Sequence, residues 1–146
     1  MRFNEAQKIA DALKRADKEI NNFVEIAGVE AVNFYTKNFS KQGFDDNGVK
    51  RWKPRKDQFK ESLSRVRKRS RDTGRAILVK SGALRRSLIR RKAGKLAVYI
   101  ISPLPYANRH NEGLKGMPKR QFVGDSASLS KKILMKLNKR INAAFK

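Results

Sequence analysis

The chain has 146 residues, no cysteine, a single histidine, a single tryptophan and four prolines. Without cysteine, disulfides and thiolate metal sites are excluded, and cysteine usage carries no compartment signal. The lone His110 has only Glu112 close by in sequence, which is no recognised metal-ligand spacing. No Gly-x-Ser-x-Gly elbow accompanies it, so a hydrolytic serine–histidine pair has no support. Gly74, Gly82 and Gly94 lack the lysine–hydroxyl and strand–helix context of a phosphate loop. No apolar run approaches the roughly 20 residues of a membrane span. Glu5, Asp11 and Asp17 near the start break the basic-then-apolar layout of a signal peptide. These absences lead to the expectation of a soluble intracellular protein that is not an enzyme, with no cofactor, no metal and no membrane partner. His110 is then expected to donate a structural hydrogen bond from a loop.

What the chain has in excess is positive charge. The formal net charge is +23, with 36 lysines and arginines against 13 acids. Half of those cations lie between Lys50 and Lys92, where only Asp57, Glu61 and Asp72 oppose them. Such a field attracts polyanions and acidic protein surfaces and carries no information about fold. The densest run, Arg65 to Arg75, has Val66 as its one sizeable apolar residue, too little surface to order itself, and is expected to be mobile. Arg65, Arg67, Lys68, Arg69 and Arg71 are the candidate contacts to a polyanion or an acidic partner. No zinc pattern, basic zipper or single-strand aromatic platform accompanies them, so any nucleic-acid binding is expected to ignore sequence.

The apolar residues predict one α+β domain spanning 1–146. Phe3, Ala6, Ile9, Ala10, Leu13, Ala16, Ile20, Phe23, Val24, Ala27, Ala31, Val32 and Tyr35 recur at steps of three and four. They form one stripe on a long helix over 1–40, with Asn4 and Gln7 as a capping box and Gly28 as a point for a bend. A helix of this length either fills a core or reaches a neighbouring subunit. Residues 41–76 form a basic loop region, opening on the turn Gln42 to Gly48 and an extended Trp52-Lys-Pro. Trp52 either anchors that loop to the core or stacks on a base. Residues 77–124 hold a short helix capped by Ser81 and a hairpin of Leu88–Arg91 with Leu96–Ser102. A loop or short helix at Tyr106–Gly116 and a strand at Pro118–Val123 complete that unit. The second hairpin strand is apolar on both faces, hence central in a sheet or covered by a subunit. Residues 125–146 form a C-terminal helix, capped by Asp125 or Ser126, with Leu129, Ile133, Leu137 and Ile141 facing inward. The long and C-terminal helices are expected to pack on a small antiparallel sheet.

Four short motifs occur in order. They are Trp52-Lys-Pro, Leu78-Val-Lys-Ser-Gly-Ala-Leu-Arg-Arg-Ser-Leu88, Tyr106-Ala…His110-Asn-Glu-Gly113, and Pro118-Lys-Arg-Gln-Phe-Val-Gly124. Together they resemble the phage virion morphogenesis family, the tail-completion proteins of Mu-like phages. Arg109 and Lys119 stand where that family usually has an apolar and a small residue. The resemblance implies a structural virion assembly protein, assembled in the host bacterial cytoplasm, that finishes the tail or joins it to the head. It implies a homo-oligomeric ring with phage tail-tube and head–tail connector proteins as partners. The motif residues Trp52, Ser81, Gly82, Leu84, Arg85, Ser87, Tyr106, Ala107, His110, Gly113, Pro118, Arg120, Phe122 and Gly124 then read as scaffold. Gly82 opens the short helix, Tyr106, His110 and Phe122 pin a loop across the sheet, and Gly113 and Gly124 turn it. Arg85 and Arg120 are candidates either for an acidic neighbour or for salt bridges within the chain. Non-sequence-specific nucleic-acid binding is the alternative function, and a basic arm on a ring around DNA would combine the two.

Overall fold

The computed structural model describes residues 2–55, 75–94 and 97–145. Arg65, Arg67, Lys68, Arg69 and Arg71, and with them the expectation of a mobile segment, lie outside the described residues. So do Lys95 and Leu96 of the expected hairpin.

A single helix, α1, runs from Arg2 to Lys41. Forty residues at 1.5 Å each make it about 60 Å long. Rich in alanine and free of proline, it has nothing to break it. It passes through Gly28 without interruption, and Asn4 lies inside it rather than at its cap. The β-hairpin that follows was not foreseen. Strands β1 (Gly43–Asp45) and β2 (Val49–Arg51) pair antiparallel with Phe44 opposite Lys50. Only Asp46 to Gly48 form the turn, with Asn47 at φ 52° and Gly48 at 130°. Phe44 is buried while all three residues of β2 face solvent, so β2 carries no apolar alternation that sequence could show.

Helix α2 (Ala83–Arg86) precedes a second hairpin, β3 (Ile89–Lys92) with β4 (Val98–Ile101). Its register places Arg90 opposite Ile100 and Arg91 opposite Tyr99. The hairpin is as expected, its first strand shifted by one residue and its second shortened to four. The two hairpins form separate two-stranded sheets among the described residues, so β4 is not central. One face of the second hairpin lies on α1, and Tyr99 on the other is 62% exposed.

Helix α3 (Ala107–Glu112) is followed by an extended stretch and then by α4 (Ala127–Ala144). The strand expected at Pro118–Val123 does not form. Its backbone groups are taken by side chains instead of a ladder. Asn111 Oδ1 accepts from the Phe122 and Val123 N–H groups at 2.9 and 3.0 Å. Asn38 and the Trp52 indole donate to the carbonyls of Phe122 and Gln121, at 3.2 and 2.6 Å.

Ser126 caps α4, its Oγ accepting from the Leu129 N–H at 3.2 Å. The β1–β2 turn docks on the same end. The Asp46 carboxylate accepts from the Ala127 N–H at 3.0 Å, where a negative charge suits the helix dipole. That bond comes first among the influences that lower the Asp46 pKa. Helix α4 returns antiparallel along α1, tied by ion pairs from Lys132 and Lys136 to Glu30 and from Arg140 to Glu19. The core lies where the C-terminal half of α1 meets Phe44, Trp52, Leu84, Leu88, Phe122 and Leu129. The mixed α+β architecture with its long first and last helices is the one expected.

Candidate functional site

The four motifs converge on the last two turns of α1. Phe39, 1% exposed, is the shared partner: it meets the Trp52 ring edge-on at 5.5 Å and the Phe122 ring at 5.3 Å. Tyr35, one turn earlier, donates its hydroxyl to the Gly124 carbonyl at 2.8 Å. Burial is the first cause raising the Tyr35 pKa, so the phenol stays protonated at neutral pH.

Segment 77–82 reaches the core through Gln42, whose amide accepts from the Ile77 N–H and donates to the Ile77 carbonyl. Gly82, at φ 76°, occupies the cap position of α2, so Ser81 is one residue too early for that role. The Ser81 hydroxyl instead accepts from the Ala83 N–H at 3.3 Å. Leu84 and Leu88 are buried and Arg85 and Arg86 exposed. Ser87 donates to the Leu84 carbonyl and lies 2.7 Å from the Ser102 hydroxyl, joining α2 to the end of β4.

Around α3, Ala107 is buried and Tyr106 is 37% exposed, its ring edge-on to His110 at 6.1 Å between centroids. The His110 backbone carbonyl accepts from the Arg120 N–H at 2.8 Å. Its Nδ1 does not make the structural hydrogen bond expected of the ring: it is enclosed and has no partner among the described residues. Burial, and then the charge of Arg120, lower the His110 pKa and keep the imidazole neutral near pH 7. Gly113, at φ 75°, ends α3. A Cβ there would meet the Lys119 backbone nitrogen at 2.7 Å, so the turn beside the half-buried Pro118 needs glycine.

Arg120 is 8% exposed, so any contact it makes outside the chain runs through a cavity and not through an open surface. It donates from Nε to the Lys53 carbonyl at 3.0 Å and from Nη2 to the Pro54 carbonyl at 3.2 Å. Arg55 beside it donates to the carbonyls of Arg75 and Ala76. Sequence reasoning missed Asn38 and Asn111, which hold this cluster together. Asn38 is 0% exposed, and its one signal is a polar residue between Tyr35 and Phe39 on the buried face of α1.

Among the described residues no group of three or more His, Cys, Asp or Glu is placed to hold a metal. No described helix is long and apolar enough to cross a membrane. No curated protein and no solved structure matches the chain. A sequence profile does, over residues 1–142, and by that match the chain belongs to the phage virion morphogenesis family.

Proposed function

We propose that the chain is a non-enzymatic subunit of the phage particle that completes the tail or joins it to the head as a homo-oligomeric ring. Family membership supports the virion role and contact with other virion proteins. Tail-tube and head–tail connector proteins are the proposed neighbours, with assembly in the host bacterial cytoplasm.

The observation that carries the ring is the fate of the α1 stripe. Ile9, Leu13, Ile20, Val24 and Ala31 are spaced by alternating steps of four and seven and share one face. Val24 and Ala31 are each 7% exposed, but Ile9, Leu13 and Ile20 are 61%, 55% and 41% exposed. The same apolar face thus enters the core in the second half of the helix. Over the first half, among the described residues, only Ala12 and Ala16 are buried, and the large side chains Ile9, Leu13 and Ile20 are bare. A second bare patch lies on α4, at Leu134 and Met135. Two different patches on one subunit suit a head-to-tail contact, which closes into a ring when the rotation allows. Electron microscopy and native mass spectrometry, alone and with the tail-tube protein, test this. A strict monomer that never joins tail or capsid fractions defeats it.

A second reading, non-specific contact with the genome, draws on the exposed Arg85, Arg86 and Arg91 along α2 and β3 and on the charge of +23. Titration of duplex binding against salt tests it, since each phosphate neutralised contributes a log–log slope of about −0.9. Sub-micromolar binding at physiological salt supports it, and its absence removes it.

A further inference from the structure

A cavity of about 320 Å³ opens between segment 77–82, α2 and α3. Ile77, Leu78, Val79 and Leu84 make one wall, while Arg55 and Arg120 lie on the other beside His110, and among the described residues no aspartate or glutamate lines it. Leu78 stands at φ 59°, a sparsely populated conformation for a branched apolar residue, so the apolar wall is held in place at some cost.

Two polar deficits meet there. Arg120 is buried, and no carboxylate pairs with it among the described residues. Its pKa is lowered first by burial and then by the charge of Arg55. A cation in that setting normally has a counter-charge, because leaving water without one is costly. Carbonyls satisfy Nε and Nη2 but bring no net charge, and Nη1 has no hydrogen bond among the described residues. The second deficit is His110 Nδ1, enclosed and unpartnered among the described residues, an exception among buried polar atoms. With the imidazole neutral, the tautomer protonated at Nδ1 presents one N–H donor.

We propose that this cavity docks an acidic segment of another virion protein, with an apolar side chain against Ile77, Leu78 and Leu84 and a carboxylate bonded to Arg120 Nη1 and, once the imidazole turns to bring its enclosed nitrogen to the cavity, to His110 Nδ1. One carboxylate answers both deficits, and the wall opposite explains why a peptide suits the cavity better than a bare anion. The proposal rests on the assembly role and not on the ring.

His110 is the only histidine, so its ring nitrogens form a single-site probe in the intact protein. The experiment follows their ¹⁵N resonances while an acetylated peptide of alternating leucine and glutamate is added at 150 mM salt. A saturable shift of Nδ1 is expected, weakened about tenfold when the glutamates become glutamines, as loss of one charge-assisted contact implies. His110→Gln should weaken binding of the labelled peptide by a similar factor, while Lys139→Gln on α4 should not. The proposal falls if Nδ1 is unmoved when anisotropy shows the peptide bound, or moves equally with the glutamine peptide. It also falls if inorganic phosphate or duplex DNA moves Nδ1 as strongly as the peptide does. Mass measured in parallel keeps failure of the ring distinct from failure of the socket.

Discussion

Asn38, wholly buried on α1, donates its amide to the Phe122 carbonyl at 3.2 Å and ties the last motif to the first helix. Its Oδ1 accepts from the Asp45 N–H at 3.3 Å, so one side chain also positions the first hairpin. Asn38→Ala leaves a buried carbonyl and a half-buried N–H without partners, each costing about 1–3 kcal/mol. The expected loss is roughly 2–4 kcal/mol in chemical denaturation. Asn38→Asp keeps the acceptor but loses the donor and adds a buried charge, so it is expected to be at least as damaging. Unchanged denaturation midpoints in both variants would remove Asn38 from this role.

At Gly28 the side chains of β3 and β4 pack close against α1. A Cβ there would lie 3.0 Å from a Val98 methyl and 3.2 Å from the Arg90 side chain. Gly28→Ala gains helix propensity of about 1 kcal/mol but must push Val98 away, so its net effect is small. Gly28→Leu overfills the contact and is expected to cost about 1–3 kcal/mol, read as a lower Tm. Leucine tolerated at full stability would mean that the second hairpin is not seated tightly on the helix.

The long helix and the C-terminal helix were legible because each carries a periodic pattern strong enough to read locally, and the second hairpin because an apolar run follows the turn at Gly94. Leu129, Ile133 and Leu137 do face inward from α4, and Ser126 was one of two caps considered. The first hairpin was hidden because Val49, Lys50 and Arg51 are all exposed and alternate nothing. The strand expected at Pro118–Val123 failed for the opposite reason. Its residues suit a strand, but Asn38, Trp52 and Asn111 claim its backbone from elements up to 84 residues away. Of the candidate site, the motif residues were legible through resemblance alone. The pairing of a buried Arg120 with an unpartnered His110 had no sequence signal, because burial is a tertiary property.

Glu30 joins α1 to α4 through Lys132, at 2.8 Å, and Lys136. The Lys132 bond and then the Lys136 bond hold its carboxyl below the ordinary value of 4.5, against a smaller opposing effect of burial. A folded-state pKa below the unfolded one stabilises the protein above pH 4.5, and the contribution disappears as pH falls through the depressed value. Glu30→Gln is therefore expected to be less stable than the parent at pH 7, by about 0.5–1 kcal/mol for so exposed a pair of lysines. The two proteins should converge in thermal melts run toward pH 3. A stability gap that persists in acid would show that Glu30 acts through packing and not through charge.

Leu13 is the sharpest test of the bare stripe on α1. It is 55% exposed and lies between Ile9 and Ile20, so Leu13→Glu removes little burial within the subunit. Surface changes of this kind usually alter stability by no more than about 0.5 kcal/mol. Placed between two subunits, the same glutamate would put an unpaired charge in an apolar contact, a cost of several kcal/mol. The expected outcome is an unchanged Tm at low protein concentration with loss of the oligomer in native mass spectrometry. Leu134→Glu on α4 should have the same effect if the contact is head-to-tail. A mixture of the two variants should then form dimers, because each keeps the patch that the other lacks, but no closed rings. Rings that survive Leu13→Glu would place the subunit contact elsewhere, with the exposed face of β4 at Tyr99 next in line.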